Sequence, residues 1–169
     1  RLSPLLSGDA SSEFATRAAR ALSVLNDLGI WASVQFEKLP AKERVLVTDH
    51  QTYSHLASRY GLEEISMLDS YTTGGALKPS SLNAITRAVT GSGAKVIFSS
   101  YLPANKSLKR ISKRSGLPIA STPLYGEGIA PGESAVSTAT KNVCAILKGQ
   151  GATCDQAAAT ALANRWASI

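Results

Sequence analysis

Apolar residues recur at three- and four-residue spacing along the first quarter of the chain, between Phe14 and Phe36. This spacing predicts a long amphipathic helix over residues 13–39, and Pro40 marks its end. The preceding residues 1–12 are rich in Ser, Gly and Pro and show no period, so they predict an irregular lead-in. Residues 40–169 form a single α/β lobe in this interpretation.

Short apolar runs alternate with helical stretches after residue 40. The strand-like runs are Arg44–Asp49, Glu64–Leu68, Lys95–Tyr101 and Pro118–Leu124. The helical stretches are Tyr53–Tyr60, Ser81–Thr90, Asn105–Ser115, Ala135–Lys148 and Asp155–Trp166. Nearly continuous apolar strands are covered on both faces, and their alternation with helices is typical of a parallel sheet. The predicted fold class is α/β: a four-stranded parallel sheet flanked by helices and preceded by a long amphipathic linker-type helix.

Length and composition favour one ordinary globular domain. The chain has 169 residues, of which 44% are hydrophobic and 18% charged. A chain of this length, folded around a single core, buries about 70% of the surface that it exposes when unfolded. The longest apolar runs are of strand length, well below the roughly 20 residues that a membrane-spanning helix requires. Disorder, fibrous structure and a membrane span are therefore not expected.

The chain lacks the motifs of common nucleotide-binding and hydrolytic sites. It has no Walker motif, GxGxxG or GxSxG, and Gly126–Gly128 is only a fragment of a glycine-rich loop. His50 could pair with Ser54, Ser99 or Ser100, but no nucleophile elbow, oxyanion glycine pair or orienting group accompanies them. An enzyme is therefore not predicted.

Ligands of open parallel sheets bind beyond the carboxyl ends of the strands. Those positions here are Asp49–His50, Ser99–Tyr101 and Tyr125–Glu127. A neutral imidazole at this edge can bind a metal, and a carboxylate can supply a hard oxygen ligand. The alternatives are a capping or hydrogen-bonded histidine at His50 and an exposed loop residue without a role at Glu127.

The net charge of +6 is concentrated most visibly in the predicted helix 105–115. Its cations fall at helical spacing on one face, with Leu108 and Ile111 on the other. They are Lys106, Lys109, Arg110, Lys113 and Arg114. We expect this face to dock on an acidic protein or lipid surface, with a merely solvated face as the alternative. Nucleic acid is not expected, because Tyr101 is the only aromatic residue nearby.

Two cysteines, Cys144 and Cys154, lie ten residues apart. Such a pair fits either a small disulfide loop in an oxidising compartment or two unrelated thiols. Metal binding by the pair alone is not expected, because neither a CxxC motif nor a nearby histidine completes a tetrahedral ligand set.

Several strings, taken in order, resemble the substrate-binding subunits of ABC-type zinc and manganese importers. They are Arg44–His50, Arg59–Leu62, Lys78–Leu82, Lys95–Phe98, Ser115–Ile119 and Leu124–Glu127. No single string is specific, whereas their order and spacing together are. The resemblance covers roughly Ser23 to Leu147 and corresponds to the carboxy-terminal lobe of such proteins with the end of the helix that links their two lobes.

The resemblance implies that His50 and Glu127 are metal ligands, with zinc or manganese as the metal. It also implies a periplasmic, extracellular or organelle-lumen location, such as the thylakoid lumen, and a membrane permease or larger complex as partner. The function it implies is a solute-binding lobe that supplies part of a metal site and binds metal weakly alone.

Departures from the family pattern motivate an alternative function. The two histidine ligands of the amino-terminal lobe are missing from this chain. Ser99 or Ser100 stands where the family has an acidic residue, and His55 stands where it has an aromatic one. The alternative is a non-catalytic structural or docking subunit of a larger assembly, built on a degenerate solute-binding lobe.

Overall fold

The computed structural model describes residues 8–67, 72–73, 76–77 and 79–169. Its helices are α1 (Gly8–Glu37), α2 (Ser54–Tyr60), α3 (Pro79–Gly91), α4 (Lys106–Ser115), α5 (Ala135–Gly149) and α6 (Gln156–Ala167). Its strands are β1 (Val45–Thr48), β2 (Glu63–Ser66), β3 (Thr72–Thr73), β4 (Ala76–Leu77) and β5 (Ile97–Phe98). A short 3-10 helix, Ala41–Glu43, precedes β1. The mixed α/β character that the sequence predicts is confirmed.

Strand β1 lies at the centre of a parallel sheet with the order β2-β1-β5. It pairs along its whole length with β2, but with β5 only through Val47 and Thr48. All four residues of β1 are buried, as expected for a strand covered on both faces. Strands β3 and β4 form a separate antiparallel pair that the sequence pattern did not predict.

The fourth parallel strand, predicted at residues 118–124, is not confirmed. This segment makes one parallel bridge, between Ile97 and Ile119, and then leaves the ladder. The next contact is the N–H of Leu124, which donates to the carbonyl oxygen of Ser99 at 3.0 Å. The residues between Ala120 and Leu124 therefore loop away from β5. Two prolines within the segment lack N–H groups for a ladder. The sheet of the described residues therefore has three strands.

Two hydrophobic cores lie on the two faces of the sheet. Leu46 and Phe98 pack into one core with residues of α1, α2, α5 and α6. Val45, Val47 and Ile97 pack into the other with residues of α3 and α4. Adjacent residues of a strand point to opposite faces, which explains the division. The prediction that helices flank the sheet is thus confirmed for the described residues.

The first helix, α1, extends further toward the amino end than the apolar period indicated. It begins at Gly8 instead of Glu13, so residues 8–12 of the predicted lead-in are helical, and residues 1–7 lie outside the described chain. No helix among the described residues combines the length and apolar character needed to cross a bilayer.

Only part of the apolar pattern of α1 faces the core. Its buried apolar residues are Val24, Trp31, Ala32 and Phe36. Its large exposed apolar residues are Phe14, Leu22, Leu25, Ile30 and Val34. The apolar spacing therefore marked the helix correctly but exaggerated the width of its buried face.

Gln150 joins the amino ends of β1 and β5 from the end of α5. Its buried amide nitrogen donates to the carbonyl oxygens of Glu43 and Val45 at 2.7 and 2.9 Å. Its amide oxygen accepts the N–H of Lys95 at 2.8 Å. The Cys144–Cys154 disulfide closes the loop around Gln150, with the two Cα atoms 5.2 Å apart. Of the two alternatives for the cysteines, the structure shows the disulfide.

Candidate metal-binding site

The carboxyl ends of β1 and β5 meet at one edge of the sheet. Asp49 and His50 follow β1, while Ser99 and Ser100 follow β5. Because parallel strands end at the same edge, the two segments lie side by side there. This is the edge at which the sequence predicts a ligand.

Asp49 is a clamp between the two strand ends. Its side chain is almost completely buried, and both of its carboxylate oxygens are occupied. Oδ2 accepts from the Ser99 hydroxyl at 3.0 Å and from the Ser100 N–H at 2.9 Å. Oδ1 accepts from the Ser100 hydroxyl at 2.8 Å and from the His50 N–H at 3.1 Å. Ser99 and Ser100, one of which stands where the resembled family has an acidic residue, therefore both hold Asp49.

His50 is placed by a tight turn after β1. Its carbonyl oxygen accepts from the Thr48 hydroxyl at 2.9 Å and from the Thr52 N–H at 3.0 Å. Together with the bond from its N–H to Asp49, these contacts fix the backbone of His50 on both sides. The side chain is partly exposed and faces an open groove.

The groove at this edge has a volume of about 470 Å³. Its lining residues are His50, Thr52, Ser100, Tyr101, Leu124, Tyr125, Gly126, Glu127, Gly128 and Ile129. His50 and Glu127 are far apart in the sequence, yet both line it. An imidazole and a carboxylate thus line one groove of the size of a small ligand.

The loop that carries Glu127 packs against the turn that carries His50. The backbone N–H of Tyr125 donates to Asn142 Oδ1 at 3.0 Å, and Asn142 Nδ2 donates back to the Tyr125 carbonyl at 2.7 Å. A side chain at Gly126 would come within 2.8 Å of Thr52 Oγ1. Glycine therefore allows the close approach that brings Glu127 to the groove. Asn142 was missed at the sequence level, where its only signal is a polar residue within the apolar pattern of α5.

The other histidine and the buried Asp49 do not line the groove in the described part of the chain. His55 lies on an exposed position of α2 and does not line it. Asp49 is buried and already holds four hydrogen bonds. Within residues 8–67, 72–73, 76–77 and 79–169, no group of three or more His, Cys, Asp or Glu side chains is placed to hold a metal ion. The described residues thus place two candidate donors, His50 and Glu127, in the groove.

Beneath the groove, two buried hydroxyls lack hydrogen-bond partners among the described residues. They are Thr52 Oγ1 and the phenol of Tyr53. Burial raises the pKa of Tyr53, the neighbouring Thr52 hydroxyl lowers it in part, and the nearby carboxylates of Asp49, Glu64 and Glu127 raise it. The phenol therefore stays neutral well above the pH at which a tyrosine ordinarily ionises.

Replacing Tyr53 by phenylalanine is expected to stabilise the fold by about 1 kcal/mol at pH 7.5, because a buried hydroxyl without a partner is removed. The gain should grow above about pH 10, the ordinary tyrosine pKa. The pKa of the Tyr53 phenol is higher in the folded chain than in the unfolded chain. The contribution of the protonated phenol to folding is therefore complete below the unfolded-state pKa. It is lost as the pH rises toward the folded-state pKa, because the unfolded chain then releases its proton more readily. Urea unfolding at pH 7.5 and pH 10.5 measures both effects.

Tyr101→Phe is the matched control for that substitution, since the side chain of Tyr101 is half exposed. It should change the free energy of unfolding little at either pH. A loss of stability in Tyr53→Phe at pH 7.5 would show that the phenol has a hydrogen-bond partner in solution.

The five predicted docking cations lie together on the exposed face of α4. Leu108 and Ile111 on its opposite face are fully buried. Asn105 caps the helix by accepting the N–H of Leu108 at 2.8 Å, and Gly116 ends it in a left-handed conformation. Arg114 also donates to Asn83 Oδ1 at 2.8 Å, which links α4 to α3. The docking role of this face stays a prediction.

An α/β lobe with two candidate metal donors at the carboxyl edge of its sheet matches a known family. Residues 6–149 fit the family described as zinc-uptake complex component A, periplasmic. The chain belongs to this family. By that description the family is periplasmic, in agreement with the location that the sequence resemblance implies and with the observed disulfide.

Individual relatives share this fold at low sequence identity. The metal-binding protein YtgA of Chlamydia trachomatis is 23% identical over 156 residues, which are 83% of this chain and 47% of that protein. The periplasmic zinc-binding protein TroA of Treponema pallidum superposes with a TM-score of 0.74 at 19% identity, covering 88% of this chain and 56% of that one. The structure of Fe(III)-bound YtgA from Chlamydia trachomatis superposes with a TM-score of 0.74 at 22% identity, covering 85% of this chain and 54% of that one.

The chain therefore spans about half the length of the relatives that it matches. The predicted resemblance to one lobe of a metal-binding solute-binding protein is confirmed, and so is the α/β fold class.

Proposed function

We propose that the groove binds a divalent metal ion, zinc or manganese, as cargo, and that His50 and Glu127 are two of its ligands. The observation that carries this proposal is the convergence of an imidazole and a carboxylate on one groove at the carboxyl edge of the sheet. Imidazole suits zinc and carboxylate suits manganese, so the pair is compatible with both ions. The named relatives add support, since one is a zinc-binding protein and another was solved with Fe(III).

The remaining ligands must come from outside the described residues in this proposal. A stable zinc site has three or four protein donors, and these residues place two in the groove. A second lobe facing the groove would complete the set, in keeping with relatives about twice as long. The lobe by itself should bind metal weakly.

The protein acts without catalysis in this proposal and delivers its cargo to a membrane permease with its ATPase partner. It works in the periplasm or an equivalent space outside the reducing cytosol. The family's description as a component of a zinc-uptake complex supports this role.

Calorimetric titration of the chain with zinc and with manganese tests the ligand assignment. We expect a dissociation constant weaker than micromolar for zinc and a loss of at least tenfold in His50→Ala. Glu127→Gln should weaken binding less, because the carboxylate is exposed and held by no described hydrogen bond.

The second histidine provides a matched control. His55 is the only other histidine of the chain and lies away from the groove, so His55→Ala should bind zinc as the unaltered chain does. Equal binding by His50→Ala, or a loss in His55→Ala that matches it, would contradict the assignment.

A structural or docking subunit is the second candidate function. It is favoured by the two-donor groove and by Asp49, whose oxygens are engaged within the fold. Absence of zinc binding up to millimolar concentration would favour this function. A submicromolar, His50-dependent dissociation constant would exclude it.

A further inference from the structure

The surplus of positive charge in the chain arises from one part of its sequence. Residues 70–126 contain eight Lys and Arg and no Asp or Glu. The rest of the chain has ten Lys and Arg against twelve Asp and Glu, so the surplus of +6 arises entirely from this segment. The segment supplies α3, β5 and α4, which include both helices on one face of the sheet.

Five of these eight cations lie on the exposed face of α4, which we call the basic face: Lys106, Lys109, Arg110, Lys113 and Arg114. None of them forms an ion pair with another described residue. Like charges on one helix face repel each other and destabilise the helix. Carboxylates placed between the cations would remove this repulsion. The arrangement is therefore suited to an external anion, provided that the anion meets several cations together.

Apolar side chains are exposed at the amino-terminal end of the basic face. Tyr101 is 50% exposed and Leu102 is 42% exposed, both in the short loop between β5 and α4. The Tyr101 hydroxyl lies 3.5 Å from Nδ2 of Asn105, the residue that caps α4. A tyrosine next to an exposed leucine is suited to the boundary between lipid headgroups and acyl chains.

We propose that the basic face binds the surface of a membrane rich in anionic phospholipid, with Leu102 at the headgroup boundary and Tyr101 at the rim between the basic face and the groove. The convex face of a helix meets lipid phosphates without needing a complementary cavity, because the lipids rearrange around it. Several cations without intervening carboxylates gain from such a dense array of charge. An acidic protein would explain the cations, but it would leave the exposed Leu102 without a role.

Cosedimentation with vesicles tests the proposal. We expect the chain to bind vesicles of phosphatidylcholine with 30% phosphatidylglycerol at about 50 mM salt and to dissociate at about 500 mM, since salt screens exposed charges. Vesicles of phosphatidylcholine alone should bind at least tenfold less. Lys109→Glu with Lys113→Glu should lower the partition coefficient at least tenfold, and Leu102→Ser about threefold.

Lys42→Glu with Lys148→Glu is the matched control. It makes the same change in net charge at exposed positions outside α4 and should retain most of the binding. Circular dichroism confirms that each variant is folded, as expected because Leu108 and Ile111 are unchanged.

Two results would overturn the proposal. Equal loss in both charge-reversed pairs would mean that net charge alone drives adsorption. Absence of vesicle binding, with retention on immobilised poly-glutamate that is lost in Lys109→Glu/Lys113→Glu, would assign the basic face to an acidic protein instead. Both tests are independent of zinc binding at His50.

Discussion

Replacement of Asp49 by alanine is expected to lower the free energy of unfolding by about 3 kcal/mol or more. The buried carboxylate accepts four hydrogen bonds, from two hydroxyl groups and two backbone N–H groups. Alanine would leave the Ser100 hydroxyl and the backbone N–H groups of His50 and Ser100 without their acceptor. The Ser99 hydroxyl would keep a second acceptor, the Tyr101 carbonyl oxygen at 2.8 Å. Urea unfolding followed by circular dichroism measures the loss.

Asp27→Ala is the matched control for Asp49→Ala. Asp27 is solvent-exposed and forms an ion pair with Arg165 at 2.8 Å. Exposed pairs of this kind contribute about 0 to 1 kcal/mol, so the control should lose little. Similar losses in the two variants would show that the clamp contributes no more than a surface ion pair.

Removal of the Cys144–Cys154 disulfide has the second large expected effect. In the chain-entropy model a loop of this length stabilises the fold by about 2 to 3 kcal/mol. For a chain of this size that loss lowers the melting temperature by about 5 to 10 °C. Calorimetry of Cys144→Ala/Cys154→Ala against the oxidised protein checks the expectation.

Thiol titration completes the disulfide experiment. The native protein without reductant should show no free thiol, because the structure pairs both cysteines. Two thiols per chain under those conditions, or an unchanged melting temperature in the double variant, would contradict the prediction.

The repeating apolar pattern was sufficient to locate most helices and the strands β1 and β2. It failed at residues 118–124, where Pro118 and Pro123 lack the N–H groups that a strand ladder needs. Only Ile119 bridges to β5 there, and the chain then loops outward. The pair of β3 and β4 is too short for any period to show.

The two candidate donors could be predicted from the sequence, whereas the hydrogen bonds that position them could not. His50 and Glu127 follow from the resemblance together with the rule that ligands bind at the carboxyl ends of parallel strands. The partnership of Asp49 with Ser99 and Ser100 depends on which strands are neighbours, which a single sequence does not state. The contact of Asn142 with Tyr125 is equally dependent on tertiary packing.

The clamp at Asp49 also implies a difference in stiffness between the two donors. His50 follows a strand end whose neighbours are tied to Asp49, while Glu127 projects as an exposed side chain from a loop. Immobilising such a carboxylate costs about 1 to 2 kcal/mol of side-chain entropy, whereas the backbone of His50 is already fixed on folding. In the proposed metal site, the ordering of Glu127 would therefore lower the affinity for the ion.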